Sequence, residues 1–461
     1  MPRRNRLPPG SATGRFLDSF RRVMSRDFSH SRSGFGYACR MRASSPRRRY
    51  SRRRFVKLSG ATLLASLLPA ARRSAAARRP GSRPRVAVVG AGIFGGFTAL
   101  TLLDRGADVV LLDAWGPGNS RASSGGETRV IRGVYGADRT YTQMAARAFE
   151  LWTKLEKRSG LRFYHPTGAL WMAREGSGDF VASSLPVLSE FGFPYERLTV
   201  VEAARRYPQI SFTGVEWALF EKRAGYLLAR RSCEAVLEEF RRGKGDYRPL
   251  RAVPGPIRSG KLEGLSLSDG VSLSADAYVF ACGPWLGSLF PEVIGKRIQP
   301  TRQEVFYFGT PSGDAGFSEG RMPVWVDVGP RLVYGIPGNE WRGFKLADDT
   351  RGEPFDPTSG DRMVSASGLA DARSFLAMRF PALRDAPLLE SRVCQYENTP
   401  DHDFILDRHP GAENAWILGG GSGHGFKHGP AVGERMARLV LGESSVEPKF
   451  ALARLNKKEA G

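Results

Sequence analysis

The chain is poor in the residues on which several kinds of function depend. Of its 461 residues, four are cysteine and six are histidine. Cys39 lies in a basic N-terminal stretch, and Cys233, Cys282 and Cys394 remain, an odd number that argues against a complete disulfide framework. Cys233, in the helical pattern Ser232 to Phe240, and Cys282, at the end of an apolar run, read as buried thiols. The histidines show no spacing suited to zinc, so no metal site is expected, and His402, His409 and His428 read as surface or loop residues. No Gly-x-Ser-x-Gly elbow occurs, which leaves a hydrolase unsupported. No internal repeat is evident.

Acids are scarce at the N-terminus. Residues 1–77 hold 19 Lys+Arg against Asp18 and Asp27, a net of +17, so only +6 of the formal +23 belongs to the rest. Residues 1–57 mix Arg, Ser, Pro and Gly without periodicity and are expected to be disordered. Ser51-Arg52-Arg53-Arg54-Phe55-Val56-Lys57 then leads into the uncharged stretch Leu58 to Ala71, fourteen residues that are too few to span a bilayer. Arg72-Arg73 and the small residues Ser74 to Ala77 follow. A basic region, a short apolar region and an Ala-x-Ala site make a signal peptide. The Ser-Arg-Arg-x-Phe-x-Lys pattern resembles the twin-arginine export signal. Residues 1–77 are therefore expected to be a leader read by the export machinery, with a periplasmic or extracellular mature protein. Met41, ten residues before the motif, would start a leader of ordinary length. A nucleic-acid-binding arm would need no apolar segment ending in Ala-Ala-Ala, so nucleic acid is not expected as a partner.

After the leader, Arg85 to Val89 reads as a strand, Gly90-Ala-Gly92-Ile-Phe-Gly95 as a turn, and Phe97 to Arg105 as a helix. That is the context a dinucleotide fold requires. The glycines let the backbone turn and approach a pyrophosphate, which rests on the helix N-terminus. A second strand, Val109 to Leu112, ends in Asp113, twenty-one residues after Gly92, where a carboxylate can accept ribose hydroxyls. A Ser/Gly-rich loop, Ser120 to Thr128, then closes on Glu127-Thr128-Arg129-Val-Ile-Arg132. It has no role in a nicotinamide fold, but suits an extended cofactor whose far end needs arginines.

These residues, with Tyr135-Gly136, Gly343-Phe-Lys345, Cys394-Gln-Tyr396, Asp403-Phe-Ile-Leu-Asp407 and Gly421-Ser-Gly-His424-Gly-Phe-Lys427, resemble the D-amino-acid-oxidase-like flavoproteins, in the monomeric sarcosine oxidase and N-methyltryptophan oxidase branch. The landmarks run from Arg85 to about Leu441. The resemblance implies an α/β fold: a discontinuous Rossmann-like FAD-binding domain (84–165, 225–290 and 391–445) and an antiparallel-sheet substrate domain (166–224 and 291–390). It implies FAD held by Gly90, Gly92, Gly95, Asp113, Thr128, Arg129, Gly423, His424, Gly425 and Lys427. Cys394 occupies the position of covalent attachment to the flavin. Arg132 and Lys427 match the clamp on a substrate carboxylate, Tyr334 and Tyr396 the aromatic walls, and Lys345 the position that activates oxygen.

Two positions depart from the family. Ser124-Gly125 stand where relatives often carry paired histidines, and Asp349 replaces a histidine beyond Lys345. A carboxylate there would bind a further cationic group or reject the usual small substrate. The expected function is oxidation of the C–N bond of a secondary or N-methylated amino acid or related amine by a monomeric enzyme, with O2 reduced to peroxide. The alternative is a dehydrogenase that passes electrons to a respiratory acceptor.

Overall fold

The computed structural model describes residues 83–458. The expectations for the leader, 1–77, lie outside the described residues.

Two large sheets organise the chain. The first has six strands, in the order Ile405–His409, Ala412–Gly419, Ala277–Phe280, Arg85–Val89, Asp108–Leu112 and Asp246–Arg248. Its pairings are parallel except between the first two strands. Val86, Ala87 and Val88 are fully buried, as continuous apolar runs are in a parallel sheet covered on both faces. Val89 is in register with both Leu112 and Phe280, so the chain leaves all three strands at one edge, at Gly90, Asp113 and Ala281. This is where an open α/β sheet binds its ligand.

The helix Ile93–Asp104 follows at that edge and is buried on most of its surface. It lies under the helices Ala229–Arg242 and Gly429–Val440. A Cβ on Gly433 would fall 2.6 Å from the Phe97 carbonyl carbon, so glycine is what lets those two helices approach.

The second sheet has eight strands, in the order Leu388–Asn398, Gln299–Phe308, Phe344–Asp348, Leu332–Ile336, Val324–Val328, Ala169–Arg174, Val215–Glu221 and Tyr195–Thr199. One pairing, Val324–Val328 with Ala169–Arg174, is parallel, so the sheet is mixed rather than wholly antiparallel. Those two strands belong to separate passes of the chain with no hairpin between them, so nothing forces opposite directions. The strand Leu388–Asn398 crosses the expected boundary at 391 and pairs with Gln299–Phe308 in this sheet.

Alternation along these strands sorts the side chains. Phe306, Phe308, Val333, Phe344 and Leu346 join a core with Phe375 and Leu376 of the helix Ala366–Arg379. Residues of the opposite parity pair as Tyr307 with Lys345, Tyr334 with Ala347, Thr301 with Tyr396 and Gln303 with Cys394. A period of two thus places the candidate chemistry on the face away from that core.

Candidate active site

A cavity opens at the sheet edge and is lined by Gly90, Gly92, Asp113, Ser123, Ser124, Arg129, Gly423 and Gly425, and it runs on past Cys282 and Trp285 to Leu250. Asp113 accepts from the backbone N–H of Ala91 at 2.7 Å and of Trp115 and Gly116 at 2.8 Å, while burial raises its carboxyl. Ser124 accepts from the Ile93 N–H at 3.0 Å, so the Ser/Gly-rich loop is tied across the helix N-terminus. Gly95 lies behind the cavity, where a Cβ would fall 1.9 Å from the Gly90 carbonyl oxygen; it serves the close packing of helix on turn. Ser123 Oγ and Glu397 Oε2 are buried without hydrogen-bond partners, and both residues line the cavity. An elongated cleft with glycine-lined walls, a helix N-terminus and unsatisfied polar atoms fits FAD.

A smaller pocket joins this cavity at Arg129, Gly423 and Phe426 and is also lined by Arg132, Trp171, Tyr334, Asp349, His424 and Lys427. Arg132 follows the strand Thr128–Ile131; its guanidinium lies 4.3 Å from the Tyr135 ring centroid and 5.1 Å from that of Trp171. Lys427 sits in the turn Phe426–His428, whose position is held by the Trp152 indole N–H donating to the Lys427 carbonyl at 2.8 Å. Its Nζ donates to Tyr135 Oη at 2.8 Å and to the His424 carbonyl at 2.7 Å. Burial and the Arg132 guanidinium push the Lys427 ammonium well below its usual range. Burial, and then the Lys427 charge, do the same to His424, whose Nε2 lies 3.0 Å from the His402 carbonyl.

Lys345 is 1% exposed; its Nζ donates to the Thr128 carbonyl at 3.1 Å and lies 5.5 Å from the Tyr334 ring centroid. Burial, helped by Arg129, pushes its amine down to about 7, so its charge is divided at neutral pH. Arg129 donates to the carbonyls of Ser123 and Thr128 at 2.9 Å, and its Nη2 lies 3.4 Å from Cys394 Sγ. Thr128 is buried and contributes its carbonyl oxygen to both cations. Tyr396 stands two residues beyond Cys394 on the same face of its strand, and its hydroxyl donates to Asp349 Oδ1 at 2.5 Å.

The structure therefore brings Arg129, Cys394, Lys345 and Tyr334 together on one side and Arg132, Lys427 and His424 on the other. Three expectations are corrected. His428 is fully buried, with Nε2 2.7 Å from the Tyr135 hydroxyl, and is no surface residue. His409 is also buried, with its ring packed 5.3 Å from that of Phe290. Cys282 is only half-buried and lines the cofactor cavity, since its apolar strand ends at the cavity edge. Trp171 and Glu221 were not anticipated. Trp171 is part of an apolar strand with nothing to mark it. Glu221 is fully buried, accepts from the Gly133 N–H, and is pushed up to about 7 by burial.

Comparison with known proteins agrees with this geometry. The profile of the DAO family, described as FAD dependent oxidoreductase, matches residues 85–439. The peroxisomal sarcosine oxidase of Mus musculus is 32% identical over 373 residues, 79% of this chain and 93% of that protein. The monomeric sarcosine oxidase of Arthrobacter sp. (strain TE1826) is 30% identical over 363 residues, 77% of this chain and 92% of that protein. The crystal structure of L-proline dehydrogenase from P. horikoshii shares the fold, with a TM-score of 0.70 at 20% identity, over 82% of this chain and 99% of that one. With a dinucleotide cleft, a cation-lined pocket beside it and this match over most of its length, the chain belongs to the DAO family of FAD-dependent oxidoreductases and is of the sarcosine oxidase type.

Proposed function

We propose that the protein oxidises the C–N bond of a secondary or N-methylated amino acid, giving an imine that water hydrolyses and passing the electrons to O2 to give hydrogen peroxide. The observation that carries this reading is the convergence of Arg132 and Lys427 on a pocket that shares Arg129, Gly423 and Phe426 with the wall of the cofactor cavity. Bound FAD supplies the hydride acceptor. The residues of the chain do the rest. Arg132 offers a planar fork and Lys427 a point charge to a carboxylate. The Tyr334 and Trp171 rings wall the pocket and accept an alkylamine. The relatives named as sarcosine oxidases support an N-methylated substrate.

The second reading is a dehydrogenase. Transfer to a respiratory acceptor would suit the periplasmic or extracellular location proposed from the leader. A folded, cofactor-loaded monomer is what the twin-arginine route would export.

Anaerobic mixing with a panel of N-alkyl amino acids tests the reading: bleaching of the flavin absorbance is expected, and a panel that leaves it unchanged refutes it. Peroxide yield under air against dye reduction then separates oxidase from dehydrogenase.

A further inference from the structure

Asp349 follows the strand Phe344–Asp348, and its N–H donates to the Leu332 carbonyl at 2.8 Å. Tyr396 holds its Oδ1 at 2.5 Å, while Oδ2 has no hydrogen-bond partner among the described residues. The side chain lines the same pocket as Arg132 and Lys427, and both cations act on it. One carboxylate and two cations around a small, aromatic-walled space are complementary to a zwitterion, and a ligand with a carboxylate alone would meet a like charge.

Resting on the reading above, we infer that Asp349 takes the reacting ammonium group of an α-amino acid and accepts its proton. The N–H bond breaks toward Oδ2, an O–H bond forms there, and the nitrogen keeps the electron pair that oxidation of the adjacent C–H requires. The Tyr396 hydroxyl occupies Oδ1, which leaves Oδ2 as the oxygen of this pocket-lining side chain that can take the proton. The other charged and titratable groups around Asp349 are Asp348 and Lys345 on the strand before it, Tyr334 on the neighbouring one, Tyr135 behind Arg132, and Arg129 and His424 in the lining of the same pocket. Burial raises the Asp349 carboxyl, which narrows its gap from an ammonium and makes it a better proton acceptor. Asp349 thereby sets specificity: it admits amino acids and rejects simple acids.

The test uses the FAD-loaded protein and the variants Asp349→Asn and Asp349→Glu. One arm measures binding without turnover, from the perturbation of flavin absorbance. The ligands are an N-methyl amino acid, held anaerobically and observed before bleaching, and the isosteric acid in which CH2 replaces NH. Asp349→Asn should bind the amine at least tenfold more weakly and the amine-free acid more tightly. The second arm follows the rate of anaerobic bleaching against pH. In Asp349→Asn the rate should fall roughly a hundredfold near pH 8 and climb tenfold per pH unit toward the pKa of the free amine, with partial recovery in Asp349→Glu. Equal effects on both ligands, or an unchanged pH profile, would overturn the inference. So would losses confined to substrates with a second amino group, which would make Asp349 a recognition site for that group instead. A wild-type protein that binds amines more tightly than acids, yet is bleached by none, would refute the proposed reaction while leaving the binding role of Asp349 in place.

Discussion

Lys427 Nζ donates to the Tyr135 hydroxyl at 2.8 Å, and that hydroxyl lies 2.7 Å from Nε2 of the buried His428. Burial, and then the Lys427 charge, hold His428 well below its usual range, so it is neutral and shares a hydrogen bond with the hydroxyl. Lys427 is thus anchored on neutral partners, and burial beside Arg132 disfavours its ammonium.

A carboxylate entering the pocket favours the charged form of Lys427, so binding should be coupled to proton uptake. Affinity for carboxylate ligands should therefore fall as pH rises. Lys427→Met should abolish that dependence and weaken binding by roughly 1.5–3 kcal/mol, about ten- to a hundredfold. Titrating flavin absorbance with an amine-free acid at several pH values checks both points.

In the proposed oxidase reaction, Lys345 would bear on oxygen rather than on substrate. Its ammonium is the dominant form only below about 7. Reoxidation by O2 should be faster at pH 6 than at pH 8, and Lys345→Met should slow it about a hundredfold. Anaerobic bleaching should change by no more than about threefold. Stopped-flow reoxidation that ignores both changes would favour the dehydrogenase reading.

Cys394 Sγ lies 3.4 Å from the Arg129 guanidinium, on the face shared with Tyr396. If the sulfur carries the cofactor, acid precipitation should leave the yellow colour with the wild-type protein and in the supernatant of Cys394→Ser. Colour released from the wild type would show that FAD is held without a covalent bond.

Glu397 is 7% exposed, and burial pushes its carboxyl up to about 7. Its folded pKa is above its unfolded one, so the unfolded chain loses this proton first as pH rises. The contribution to stability is present below about 4.5, declines between 4.5 and 7, and stays lost above that. Glu397→Gln, neutral throughout, should gain on the wild type across that window by up to roughly 3 kcal/mol in the cofactor-free protein. Parallel melting curves for the two proteins from pH 5 to 7.5 would refute this.

Much of the cofactor site was legible along the chain because its parts are local. The Gly90–Gly95 turn, the helix behind it and Asp113 lie within one strand-turn-helix-strand unit, where backbone geometry alone demands glycine and a strand-end acid. Cys394 and Tyr396 share a face through the strand period of two. The substrate pocket was less so. Trp171 came from an apolar strand with no mark of function, and His428 from a polar turn that suggested solvent. Asp349 was visible as a departure, but its bond to Tyr396 depends on strands about fifty residues apart.

Composition and spacing were enough to specify a dinucleotide cleft and a family, because each rests on residues close in sequence. The charge state of Lys345 and Lys427, the free oxygen of Asp349 and the burial of His428 came from folding. Each depends on how far water is excluded and on which distant side chains stand nearby.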